Sequence, residues 1–129
     1  MNSLIKCSNI IVKQTSTKGL GAFAGKKIFE NEIIETGIMR RVNTNGNENP
    51  YIFTWSENKD VWAYASGCAT FYNTSLKPNC KMERYYDEDL FEIIALHDIN
   101  EGDELTHTYQ SLKWRNCFKG LYSNLCKSS

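Results

Sequence analysis

Four short stretches hold the residues best suited to chemistry: "KGLGAFA" from Lys18, "YIFTW" from Tyr51, "FYNTSLKPNC" from Phe71 and "INEGDELTHTY" ending at Tyr109. A Gly-x-Gly turn lets backbone approach a ligand where a Cβ would clash, although alone it is an ordinary turn. Asn73-Thr74-Ser75 has three readings. It is a glycosylation sequon, a turn, or part of a pocket in which an amide offers both donor and acceptor. Tyr109 reads either as a strand aromatic satisfying one hydrogen bond or as a phenol that orients reacting partners.

The elements that must position these residues are mostly short strands. "NIIVKQ" is a β-branched strand, followed by a Gly-rich turn and an apolar strand over Ala22–Ala24. "NEIIETG" predicts a strand ending at Gly37, then a polar loop through Asn45-Gly46. "YIFTW" predicts a strand, and Ser56 a cap on a short helix or loop. "CKMERYYDEDLFEIIAL" predicts a hairpin around Asp87-Glu88-Asp89, and "NEGDELTHTY" a turn into a last strand. Trp114, Phe118 and Leu121 at helical spacing predict a short amphipathic helix in the tail.

Bulk properties narrow the classes. At 129 residues one domain over 1–129 is expected, with no internal repeat or linker. Formal net charge is zero, which gives no electrostatic reason to expect nucleic acid as a partner. No apolar run reaches the length of a signal h-region or a membrane span, so no membrane role is expected. The chain reads as intracellular and cytoplasmic (host nucleus, if viral or an effector), which sets the sequon aside. Five cysteines, Cys7, Cys68, Cys80, Cys117 and Cys126, form no even framework and no Cys–His zinc spacing. They read as scattered thiols, and no metal is expected.

In order and spacing the four stretches resemble the SET-domain protein lysine methyltransferases. Those enzymes carry a Gly-x-Gly turn, a Phe-x-Asn-His-Ser-x-x-Pro-Asn segment and a Gly-Glu-Glu-Leu-Thr-x-x-Tyr segment. Here these read Gly19-Leu20-Gly21, Phe71 to Asn79, and Gly102 to Tyr109. The likeness spans about residues 10–114, leaving 115–129 as a C-terminal tail, and is nearest to the small stand-alone bacterial and viral type. It implies a β-rich SET-like fold of short curved sheets with a C-terminal pseudoknot and little helix. It implies methyl transfer from S-adenosyl-L-methionine to a lysine of a protein substrate, histone or another basic protein. Tyr109 is the implied catalytic residue. Lys18, Gly19, Leu20, Gly21, Asn73, Thr74, Tyr109 and Trp114 are the implied cofactor contacts, with Trp114 or Phe118 as the wall for adenine. Tyr51 and His107 are the implied lining of the lysine channel.

This sequence departs from the family where its His is replaced by Thr74, and where Lys113 stands near an aromatic that limits methyl number. Those departures define the alternative: a SET-like module, weak or inactive in catalysis, that binds a protein partner. A homodimer is a further expected assembly. His97 reads as a surface turn residue, and alternation does not tell which way His107 faces. The acids Asp87, Glu88, Asp89, Glu101, Asp103 and Glu104 read as a solvated turn and edge, or as an attractor for a basic peptide.

Overall fold

The computed structural model describes residues 3–128 and contains two sheets and one short helix. Strands β4 (Phe53–Thr54), β5 (Trp62–Ala65), β3 (Ile33–Val42), β8 (Leu90–Ala95) and β7 (Cys80–Tyr85) lie in that order, all antiparallel. Strands β1 (Ile10–Gln14), β2 (Leu20–Ala24), β9 (Glu104–His107) and β6 (Asn73–Thr74) form the second sheet. Side chains from both sheets join one buried cluster that includes Ala22, Phe91, Ile93 and Leu105. Burial alternates along β8, with Phe91, Ile93 and Ala95 inward, as a half-buried antiparallel strand requires. No helix among the described residues is long and apolar enough to cross a membrane.

The β7–β8 hairpin forms as its sequence predicts, closed by a 3-10 turn over Tyr86–Glu88 with Asp89 left-handed at φ 54°. Asp89 is not simply solvated: its Oδ1 accepts from Arg41 Nε and Trp55 Nε1, both at 2.9 Å. Three boundaries differ from expectation. β3 does not stop at Gly37 but runs on to Val42. Gly37 is there for close approach, since a Cβ would stand 2.3 Å from the Phe91 ring edge. "YIFTW" yields only a two-residue strand. After Ser56, whose hydroxyl accepts from Asp60 N–H at 3.2 Å, the chain enters β5 rather than a helix, because β3 and β4 offer it ladders on both sides.

The segment crossing expected of the fold centres on β6 and β9, which pair in parallel through Asn73–Thr106 and Thr74–His107. Beyond β9 the chain stays fastened to the β6 segment. Thr108 Oγ1 donates to Ser75 O at 2.6 Å, and Tyr109 N–H to Thr74 Oγ1 at 3.0 Å. Asn79 adds a staple, donating to Glu104 O at 2.8 Å and accepting from Thr106 N–H at 2.9 Å. The tail then makes a 3-10 turn over Asn116–Phe118 before helix α1 (Lys119–Ser128).

Candidate active site

The β1–β2 turn is closed by Thr15, whose N–H and hydroxyl both donate to Gly19 O, at 2.7 and 2.8 Å. The two glycines serve different ends. Gly19 has φ +75° and open space around it, so its role is conformational. Gly21 has ordinary backbone angles, but a Cβ would meet Glu104 Oε2 at 2.9 Å and Asn73 Nδ2 at 3.0 Å. Its smallness therefore admits protein side chains, rather than a ligand as the sequence reading supposed.

Those side chains form one network. Asn73 Nδ2 donates to Leu20 O at 3.2 Å and to Glu104 Oε2 at 2.8 Å. Lys18 Nζ meets the other oxygen, Glu104 Oε1, at 2.6 Å. Glu104 thus ties the Gly-x-Gly turn, the Asn segment and the last strand together, and it corrects the reading of this acid as part of a solvated edge. Its position inside β9, rather than in the preceding turn, was the available signal. Both amide hydrogens of Asn73 are used by protein, which leaves its Oδ1 as the group able to accept from a ligand.

The network borders a cleft of about 590 Å³, within the roughly 300–1,000 Å³ of small-molecule sites. Lys18, Gly19, Leu20, Tyr51, Asn73 and Tyr109 line it, as do Pro50, Thr70, Phe71, Cys117, Phe118 and Leu121. The fold thus brings six of the expected residues to one cavity. Tyr51 stands at its rim, 65% exposed. Gly21 and Thr74 are buried behind the wall, where Thr74 holds the Tyr109 backbone.

Trp114 does not line the cleft. Its ring packs against Trp62, centroids 6.3 Å apart, with the Lys59 ammonium 5.4 Å from it. The aromatic wall is Phe118, 5.0 Å from the Tyr109 ring. Beside Phe118 stands Arg115, which no sequence signal singled out. Its buried guanidinium donates to Gly46 O at 2.6 Å, to Asn49 O and to Ser111 Oγ at 3.3 Å. It also lies 4.9 Å over Trp62 and 4.8 Å over Phe118. Arg115 therefore lies between Trp62 and Phe118 and pins the loop before Tyr51 to the tail carrying Phe118.

Tyr109 is held at both ends. Its hydroxyl donates to Tyr72 O at 2.7 Å, and burial, with the Glu104 charge second, pushes the phenol up to about 12. It is therefore neutral at physiological pH, with its proton committed and its oxygen lone pairs available. His107 is 2% exposed and lies 5.3 Å from the Tyr109 ring. It lines a smaller space of about 30 Å³ that adjoins the cleft, sharing Pro50, Thr70, Tyr109 and Phe118 with it, rather than the cleft itself. Burial, then the Arg84 charge, drives its pKa down to about 4. Lys113 points to Tyr122, its ammonium 5.9 Å over that ring, away from the site.

A SET-domain profile matches residues 19–110. The fold is similar to that of a proposed histone methyltransferase of Plasmodium falciparum, with TM-score 0.65 and 25% identity over 82% of this chain and 96% of that one. It is also similar to the humanized Polycomb Repressive Complex 2 of Chaetomium thermophilum bound to the inhibitor GSK126. There the TM-score is 0.64 and identity 19%, over 79% of this chain and 15% of that one. A structure of ctPRC2 in complex with H3K27me3 and H3K27M gives TM-score 0.64 and 20% identity over 78% of this chain and 14% of that one. No curated protein sequence matches the chain.

Proposed function

The chain belongs to the SET-domain family of protein lysine methyltransferases, and on that basis we propose that it methylates a lysine of a protein substrate with S-adenosyl-L-methionine in the cleft. The observation that carries this reading is the convergence of Lys18, Leu20 and Asn73, tied together through Glu104, with Tyr109 on one cavity. The residues suit the cofactor. Asn73 Oδ1 and the carbonyls of the Gly19 turn accept from an ammonium or hydroxyls, and Phe118 and Phe71 offer flat apolar faces to adenine.

When bound, the cofactor supplies a sulfonium-borne methyl group, which a neutral amine takes as the thioether leaves. The protein's task is orientation and electrostatics. Tyr109 presents oxygen lone pairs because its proton is held by Tyr72 O. Such lone pairs favour the positive charge shared between methyl and amine. Among the described residues no group near Tyr109 is a suitable base. Glu104 is engaged by Lys18 and Asn73, the Tyr109 phenol is neutral, and His107 is buried with its pKa far below neutral. The lysine therefore loses its proton to solvent.

A basic protein such as a histone is the substrate class we favour, because the similar structures include histone methyltransferases. The test is calorimetry with S-adenosyl-L-methionine, followed by mass spectrometry of histones and other basic proteins incubated with the pair. Micromolar cofactor binding with a mass gain of one or more methyls on lysine is expected. Binding without any transfer would instead favour the protein-binding module, and no binding would remove the cofactor reading.

A further inference from the structure

The N-terminal segment, β3 and the loop before the Ala69–Phe71 turn meet at residues that line neither the cleft nor the smaller space adjoining it. There Cys7 Sγ, a Glu35 carboxylate oxygen and Cys68 Sγ lie within 4.8 Å of one another. Glu35 is 1% exposed. It faces inward because the β3–β8 register shifts between Ile33 and Glu35, so that the neighbours Ile34 and Glu35 are both buried. A bulge of this kind re-aims a side chain at the cost of a ladder position.

The carboxylate is fixed by two donors: Tyr72 hydroxyl to Oε1 at 2.9 Å and Cys68 N–H to Oε2 at 2.8 Å. Among the described residues no Lys, Arg or His pairs with it. A buried acid without a cation is costly. The loop is moulded around it: Gly67 has φ +65°, and a Cβ there would stand 2.2 Å from Glu35 Oε2 and 3.5 Å from Cys7 Sγ. Cys7 and Cys68 are each half-buried, which leaves an ion a way in.

We propose that Cys7, Glu35 and Cys68 bind one thiophilic divalent cation of the zinc class, through two thiolates and a carboxylate, with water as fourth ligand. Two sulfurs and one oxygen suit zinc, which takes three protein ligands and water in open sites. Zn–S near 2.3 Å and Zn–O of about 2.0–2.2 Å imply ligand separations of about 3.5–3.8 Å, so from separations within 4.8 Å the cluster contracts by at most about an ångström on binding. Cys7, in an irregular segment before β1, supplies that movement. The Tyr72 hydroxyl and Cys68 N–H orient the carboxylate from outside, as outer-shell donors do. Each thiol gives its proton to solvent as its sulfur bonds the ion, so binding releases protons and changes no oxidation state. The proposal is independent of methyl transfer, and no catalytic step passes through the ion.

The full chain, reduced and stripped with chelator, is titrated with Co²⁺ and then Zn²⁺. One Co²⁺ per chain is expected, with a thiolate-to-cobalt charge-transfer band that Zn²⁺ abolishes. Cys7→Ser and Cys68→Ser should each weaken Zn²⁺ binding by more than about 100-fold, beyond the roughly 10–100-fold cost of losing an outer-shell partner. Cys117→Ser/Cys126→Ser should bind like the wild type. Melting curves of the metal-free variants check folding, and Cys7→Ser decides the matter if Cys68→Ser does not fold. Absence of the charge-transfer band, or equal Zn²⁺ affinity in the wild type and folded Cys7→Ser, overturns the proposal.

Discussion

Replacing Asn73 with Asp changes one atom type at the centre of the site and reverses the sign of two contacts. Asn73 Nδ2 donates to Glu104 Oε2 at 2.8 Å and to Leu20 O at 3.2 Å, and an Asp oxygen in its place would face two acceptors. Two unit charges 2.8 Å apart repel by about 1.5 kcal/mol at the dielectric of water and about 6 kcal/mol at an effective dielectric of 20. Asn73 and Glu104 are half-buried, and Lys18 at 2.6 Å from Glu104 offsets part of the repulsion. The net cost therefore falls at about 2–3 kcal/mol, or roughly 8–12 °C in melting temperature for a domain of this size. Like-charge repulsion raises the pair's apparent pKa, so the folded protein takes up a proton before the unfolded chain does. Stability lost above neutral pH should return as pH falls toward 5. The assay is thermal unfolding of Asn73→Asp and wild type from pH 8 to pH 5, with cofactor calorimetry at each end. Asn73→Ala, which removes the donors without adding charge, should show a pH-independent loss of about 1–3 kcal/mol in cofactor binding. An Asn73→Asp protein that melts with the wild type at pH 8, or a deficit unchanged by pH, would refute the reasoning.

Tyr109→Phe should lower single-turnover methylation by about 10²–10³-fold while cofactor affinity changes by no more than a few-fold, because the hydroxyl acts through orientation and charge; a wild-type rate would remove Tyr109 from the mechanism. The single-turnover rate should climb from pH 6 to pH 10, since a free lysine amine titrates near pH ~10.4 and loses its proton to solvent. A flat profile with chemistry shown to be rate-limiting contradicts that. The buried His107 binds a proton in the folded state only at about pH 4, against 6.5 when unfolded. Its contribution to stability is therefore complete above pH 6.5 and drains away as the pH falls to 4, by about 3 kcal/mol in all. Urea titrations across that window should show a shallower acid loss in His107→Gln, and parallel curves would mean that the imidazole does not control it.

The order of short motifs along the chain was enough to indicate the family, the strand-rich fold and the neighbourhood of Asn73, Tyr109 and the glycine turn. Each of those signals is local: a turn needs its glycine, and a strand needs its alternation. The β7–β8 hairpin was legible for the same reason, because its pairing partners are neighbours in sequence. Where the local rule failed, a distant contact had overruled it. Gly37 looked like a stop, but the Phe91 ring from β8 fills the space where its side chain would be. Trp114 and Phe118 were equal candidates for a flat wall until packing parted them: Trp114 stacks on Trp62, while Arg115, reaching back to Gly46 and Asn49, lays its guanidinium over Phe118. Glu104 looked like one more surface acid because nothing in "NEGDELTHTY" shows that Lys18 and Asn73 converge on it. Cysteine spacing pointed away from metal, since Cys7 and Cys68 are far apart in sequence and Glu35 lies between them. Their meeting depends on a bulge in β3 and on a glycine loop that only the folded chain brings together. Residue type and spacing thus indicated the family and the residues to look for. Long-range packing decided which side chains face one another, because charge, burial and hydrogen bonding act between neighbours in space.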